Sequence, residues 1–292
     1  MSLLRKSLIL IGLVAGGLVV GQLILSGLIF AGGADFTQAN DINTLIGSME
    51  NTMPFKIGIG LNNIVMFGLS AYLFKLIVSK NKFSKYFNLS RKLDGNWLGL
   101  CVLLMISIYP LIVYSAQWIQ SIDLPSWAQS MDQSNMNTLA SVLEMNGPWD
   151  LTLNLLIVAV TPAICEELFF RGVMQKEINR HLSNPHMAII LTSIVFSAIH
   201  MSVEGFTARL MLGLVLGYTY HYTMSLWYPI LLHLFNNGLQ VLALYFSGAN
   251  IKEMDPTEGP EIHWVFAIVS LAVAIVIFMH IKTKSEKDGI IA

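Results

Sequence analysis

Leu151-Thr-Leu-Asn-Leu-Leu-Ile-Val-Ala-Val-Thr-Pro-Ala-Ile-Cys-Glu-Glu-Leu-Phe-Phe-Arg171 is a largely apolar run that ends in two adjacent acids, Glu166 and Glu167. Its length matches the roughly 20 residues a helix needs to cross a bilayer. A charged side chain at membrane depth costs at least a few kcal/mol, so acids there read first as functional groups. Other apolar runs carry His200, and His233 with Asn237. A carboxylate with imidazoles inside a bilayer is a hydrolase-like set.

Outward from that stretch, the chain has 292 residues, 54% apolar and only 12% charged, about half the usual charged fraction of a soluble domain. Eight apolar runs lie at roughly 7–31, 56–79, 97–117, 149–171, 187–201, 206–222, 226–246 and 262–281. Strand alternation is absent, and runs this long satisfy their backbone in lipid as helices. The expected fold is all-α: a polytopic membrane protein of about eight transmembrane helices. One membrane-embedded domain covers 1–292, with the motif-bearing core at about 149–246. The fifth and sixth runs are short, as re-entrant or deeply starting helices are. Arg5 and Lys6 precede the first run, but its apolar length of about 24 residues exceeds a signal core of about 7–15. It reads as a retained membrane helix.

Basic residues orient the chain. Arg5 and Lys6, then Lys80, Lys82, Lys85, Arg91 and Lys92, then Arg171, Lys176 and Arg180, and finally Lys282, Lys284 and Lys287 fall on one side. The segments 32–55 and 118–147 lack Lys and Arg but hold Asp35, Asp41, Glu50, Asp123, Asp132 and Glu144. Both termini are therefore expected in the cytoplasm. Trp97, Trp118, Trp149, Trp227 and Trp264 fall at span ends and Trp127 in an outer loop, as an interfacial aromatic belt requires. Topology accounts for the basic residues, so no nucleic-acid partner is expected. Cys101 and Cys165 are both intramembrane and offer no disulfide framework. Cys165 beside Glu166 has the chemistry of a nucleophile, but its ordinary reading is a small buried apolar residue.

The stretch 80–96 mixes bases with aromatics and reads as an interfacial segment on the inner leaflet. The outer loop 118–147 is long enough for a surface helix. Gly12, Gly16, Gly17 and Gly21, and again Gly213 and Gly217, are spaced for close helix packing; a homodimer seam is the alternative.

Glu167 and Arg171 are four residues apart, so on a continuing helix they share a face and can pair. Glu166 then points about 100° away, as a base toward water would; the bland alternative is two surface acids at the end of a span. His200 closes Phe196-Ser-Ala-Ile-His200, and His233 and Asn237 face one way from the seventh span. Singly, each is ordinary interhelical glue. Together they supply a base, two imidazoles and an amide. Peptide hydrolysis uses such a set: Glu166 takes a proton from water, His200 orients that water, and His233 and Asn237 donate to the oxyanion. The competing chemistry is a zinc site of Glu166, His200 and His233 with water in the fourth position, although the adjacent His-Glu-x-x-His arrangement is missing. The His–Asn pair suits an oxyanion donor better than a ligand, so no cofactor is the expectation and Zn the alternative.

Glu166-Glu167-Leu-Phe-Phe-Arg171, Phe196–His200 and His233–Asn237, in this order, resemble the CPBP family of Abi-type intramembrane proteases. These are related to the CAAX prenyl endopeptidases and to bacteriocin-processing or bacteriocin-immunity proteins. The resemblance covers 163–237 and implies an eight-helix membrane protease with an interior site open to the cytosol. It assigns Glu166 and His200 to water activation, and His233 and Asn237 to the oxyanion. It places Glu167 and Arg171 as structural support. The partners it implies are a peptide or protein substrate, lipid-modified or not, and membrane lipids, in a bacterial cytoplasmic membrane. Asn236 is an extra amide beside the matching one.

One detail fits poorly: at about 1.5 Å per residue Glu166 and His233 lie about 8–10 Å deep but His200 near 20 Å, so the fifth helix must start deeper or tilt. Arg209 reads as interfacial, or as a partner for Glu204. Asn62, Asn63 and Gln22 read as helix contacts, and Pro162 as a residue that loosens the backbone one turn before Glu166. Two functions of other classes remain: a non-catalytic scaffold or immunity factor of the same fold, and a proton-relaying transporter, against which the lack of inverted repeats argues.

Overall fold

The computed structural model describes residues 1–37, 42–49, 52–248 and 261–291. Asp41 and Glu50, counted above among the outer acids, lie outside the described residues. Within them the chain is helical, with no strand. The helices that concern the site are α1 (Leu3–Ala31), α2 (Met53–Val78), α3 (Gly95–Gln120), α4 (Ser126–Leu143), α5 (Pro148–Leu182), α6 (Pro185–Ala198), α7 (Phe206–Thr223), α8 (Trp227–Ser247) and α9 (Trp264–Lys287). Each of the eight apolar runs is one of these helices. Helix α4 lies in the connection 118–147.

Six of them, α1, α2, α3, α5, α8 and α9, are long and apolar enough to cross a membrane. The protein is an all-α, polytopic, integral membrane protein. Helix α6 has 14 residues, a reach of about 21 Å against a hydrocarbon core of about 30 Å. Helix α7 carries Thr207, Arg209, Thr219 and His221 among its apolar residues. The expected boundary of the fifth run is corrected here: α6 starts at Pro185, behind an Asn184 cap whose Oδ1 accepts from Met187 N at 3.1 Å, and stops at Ala198. His200 therefore sits in the turn beyond the helix. Helix α5 in turn runs past the expected residue 171 to Leu182.

Two compact units divide the chain: residues 1–83, 133–169 and 233–254 form the first, and 84–132, 170–232 and 255–292 the second. In the first, α1 lies against α2. Gly17 approaches the backbone of Val65 and Met66, and Gly21 receives the side chain of Asn62. Ser70 Oγ donates to Leu13 O at 3.0 Å. Leu25, Ile29, Ala34, Leu45, Ile46, Phe55 and Val142 form a buried apolar cluster. Gly12 and Gly16 face open space, so only half of the expected glycine pattern in α1 is packing.

In the second unit, α3 contains Pro110, which cannot donate to the preceding turn. Helix α9 repairs the gap: Ser270 Oγ accepts from Leu111 N at 3.3 Å and donates to Ser107 O at 2.6 Å. Part of the segment expected on the inner leaflet contacts the protein. Tyr86 and Phe87 are buried, Lys176 Nζ donates to Tyr86 O, and Trp227 Nε1 donates to Leu89 O at 3.0 Å. Its bases Lys80, Lys82, Lys85, Arg91 and Lys92 stay exposed. Of the six tryptophans five are exposed, while Trp97 is buried and donates to Asp288 Oδ2 at 3.1 Å.

Helices α6 and α7 touch through glycines. A Cβ on Gly213 would meet Ser193 Cβ at 2.9 Å and its Cα at 3.1 Å; one on Gly217 would meet Ile189 Cγ2 at 2.8 Å. Overpacking of this kind costs about 1–3 kcal/mol. Gly217→Val is therefore expected to lower the thermal midpoint in detergent by several degrees, and Gly12→Ala to leave it in place. Equal midpoints for the two variants would refute the packing assignment.

Candidate active site

The acids emerge from a locally widened helix. In α5 the residues Leu155–Val160 form a π-helical turn just before Pro162, and Phe170–Gln175 form another after the acids. Such wide turns inside α-helices are frequent at functional sites. Thr161 Oγ1 donates to Leu156 O, five residues back, at 2.7 Å. The wide turn also leaves the Val158 carbonyl to accept from Asn237 Nδ2 at 3.0 Å. The loosening expected around Pro162 thus takes a definite form: one wide turn whose carbonyls are satisfied from outside the helix backbone.

Both acids lie inside the first unit. Glu166 is 6% exposed and Glu167 not at all. Glu167 Oε1 meets His233 Nδ1 at 2.9 Å, with the imidazole itself 3% exposed. An ionised Glu167 requires the hydrogen on Nδ1. Glu166 Oε1 accepts from Asn63 Nδ2 at 2.8 Å. Asn236 Nδ2 donates to Asn237 Oδ1 at 2.9 Å, so both amides are fixed. The seventh run was expected to present His233 and Asn237 on one face. The structure brings both against the α5 segment that carries the acids, His233 to Glu167 and Asn237 to Val158. Cys165 is buried with its Sγ toward Gly68, a packing contact.

Arg171 and His200 belong to the second unit. Arg171 is fully buried; its Nη2 donates to Gly213 O at 3.0 Å and its guanidinium lies 4.9 Å over the Phe196 ring. One turn further, Gln175 Nε2 donates to Gly217 O at 3.1 Å. The two side chains clasp α7 at the carbonyls of its two close-packed glycines. His200 is partly buried, and its Nδ1 lies 2.8 Å from Phe196 O. A bond from Nδ1–H to that carbonyl fixes the tautomer. Met201, next in the turn, adopts φ 50°, a left-handed conformation that costs a long side chain energy and is concentrated at functional sites. Arg209 folds over Gly205, and Asp132 Oδ2 accepts from Glu204 N at 3.2 Å.

Zinc is the metal for which the donor set has to be tested. Among the described residues no three His, Cys, Asp or Glu side chains converge as a ligand set. The first unit offers an imidazole whose Nδ1 is bound to Glu167, and an acid bound to an amide. These donors do not fit a three-ligand centre, and no step is derived through a metal. Asn63, read from the sequence as a helix contact, is one: its amide joins the second span to Glu166 of α5. The sequence did not indicate which group it would meet.

The fold and these buried groups define a class: an integral membrane protein with acids, imidazoles and amides held inside a bundle of apolar helices. Within that class, residues 148–239 match the family described as type II CAAX prenyl endopeptidase Rce1-like, a match that supports a CPBP-type intramembrane protease domain there. No curated protein and no solved structure matches the chain. The family is one of membrane peptidases, so its substrate class is a peptide or protein met at the membrane.

Proposed function

We propose that the chain is an intramembrane endopeptidase that hydrolyses a peptide bond near the cytoplasmic face of a bacterial membrane, both termini being cytoplasmic, by a glutamate mechanism without metal. The observation that carries this reading is Glu166. It is a carboxylate almost removed from solvent, kept by a single amide donor beside the buried Glu167–His233 pair. A non-catalytic scaffold has no use for an acid so placed, because burying it costs stability.

In this mechanism Glu166 takes a proton from water, and the resulting hydroxide adds to the carbonyl carbon of the scissile peptide. His200 orients the water through Nε2. His233 Nε2–H, present when the ring carries a hydrogen on both nitrogens, and the second amide hydrogen of Asn237 donate to the oxyanion, each donor lowering the barrier by about 3–4 kcal/mol. Collapse of the intermediate breaks the C–N bond, and the proton held by Glu166 passes to the leaving amine. Glu167 holds His233 in position, and Arg171 ties α5 to α7.

The test is a comparison of membrane and secreted peptides from cells carrying wild-type protein or Glu166→Ala at matched expression. Products lost only in the variant support the peptidase and name its substrate; the family description makes CAAX-type termini, prenylated and unprenylated, the first set to include. Identical peptide profiles would move the reading to the scaffold.

A further inference from the structure

We infer that Asn63, on the second span and outside the matched domain, is a positioning residue for the base Glu166; this rests on the peptidase reading above. Asn63 Nδ2 donates to Glu166 Oε1 at 2.8 Å. The orientation of the amide follows from chemistry: against an ionised carboxylate only the NH2 group can face the oxygen, since the amide carbonyl is an acceptor. Glu166 is 6% exposed, so the amide replaces water that a surface carboxylate would have. With Oε1 engaged, the proton-accepting lone pairs are those of Oε2, and rotation of the carboxylate about its last bond is restrained. One donor thus selects which oxygen acts and keeps it aimed.

Two features separate this from ordinary helix glue. Asn63 Oδ1 is shielded from solvent and accepts no hydrogen bond among the described residues. A residue that only joined two helices would lose less by being apolar, because a buried unmet acceptor is destabilising. Second, Asn63 stands at the junction where Met53–Asn63 gives way to the π-helical turn Ile64–Leu69, and such turns re-aim side chains at functional sites. The same turn lies against the segment carrying the acids: Gly68 meets Cys165, and the Phe67 and Phe169 rings lie 5.4 Å apart. The second span therefore presents an amide to the base in a register fixed by packing on either side of it.

The test uses the full-length protein in lipid and the peptide whose release distinguishes wild type from Glu166→Ala. Asn63→Leu, close to isosteric, is expected to lower kcat about tenfold to hundredfold, the worth of a hydrogen bond to a charged group. KM should stay within about twofold, and the thermal midpoint should not fall. Asn63→Ala, which removes the amide without placing apolar bulk beside the carboxylate, should give the same split and serves if the leucine variant does not fold. Wild-type kcat in both variants, with Glu166→Gln inactive, would overturn the role of Asn63 and leave the peptidase reading standing. A rise in KM at constant kcat, or a loss of kcat only in step with a lower thermal midpoint, would also overturn it, in favour of a structural contact. Full turnover by Glu166→Gln would overturn the assignment of Glu166 as base and this inference with it.

Discussion

Glu166→Gln is expected to remove peptide release while leaving the protein as stable as wild type. The glutamine amide has the shape of the carboxyl group, and its oxygen can still accept from Asn63 Nδ2, the contact seen at 2.8 Å. The fold therefore loses no hydrogen bond. It also no longer buries a charge at a site 6% exposed. What disappears is the basicity. Loss of a positioned general base is expected to lower kcat about 10²- to 10⁴-fold, with KM little changed because the group makes no uniform contact with the substrate. Turnover of the cleaved peptide by purified protein in lipid, beside its thermal midpoint, checks both halves. A variant that keeps its midpoint and its rate would refute the assignment of Glu166 as base.

Glu167→Ala is expected to damage both stability and activity. Glu167 and the His233 imidazole are almost fully buried and 2.9 Å apart. Removing one partner of a buried pair costs about 3–5 kcal/mol, since the other is left without its counterpart. The catalytic loss has a separate origin. Glu167 anchors the His233 ring through Nδ1, so without it the imidazole can turn and no longer aims Nε2 at the oxyanion. Because the two residues act as one unit, Glu167→Ala, His233→Ala and the double variant should not add. The coupling expected for partners in direct contact is about 0.5–3 kcal/mol, read from thermal midpoints and from residual kcat. Strict additivity in both would show that the pair does not act together.

The acid pair, the two histidines and Asn237 were all legible from their places in apolar runs, because a polar group in lipid is conspicuous. Spacing also made Arg171 the natural partner of Glu167, since residues four apart share a helix face. What it did not announce were the partners that other helices supply. The structure engages Glu167 with His233 inside the first unit, and Arg171 with Gly213 O inside the second. Spacing on one helix says which side chains lie on one face of it; it says nothing about what another helix brings to that face. Asn237 shows the same limit. Its amide is partly spent on Val158 O, a carbonyl exposed by a π-helical turn that no hydrophobic pattern announces.

By itself the sequence determined the all-α membrane class, eight helical runs and the polar residues set within them. Hydrocarbon leaves the backbone only internal hydrogen bonds and makes each charge expensive, so composition is enough to read them. Only the tertiary structure decided where α6 ends, which glycines of α1 are contacts, which group holds each acid, and that Asn63 of a distant span reaches the base. These depend on distances between helices far apart along the chain, set by side-chain volume at their contacts and by the register of a few wide turns, neither of which a linear pattern of apolar and polar residues encodes.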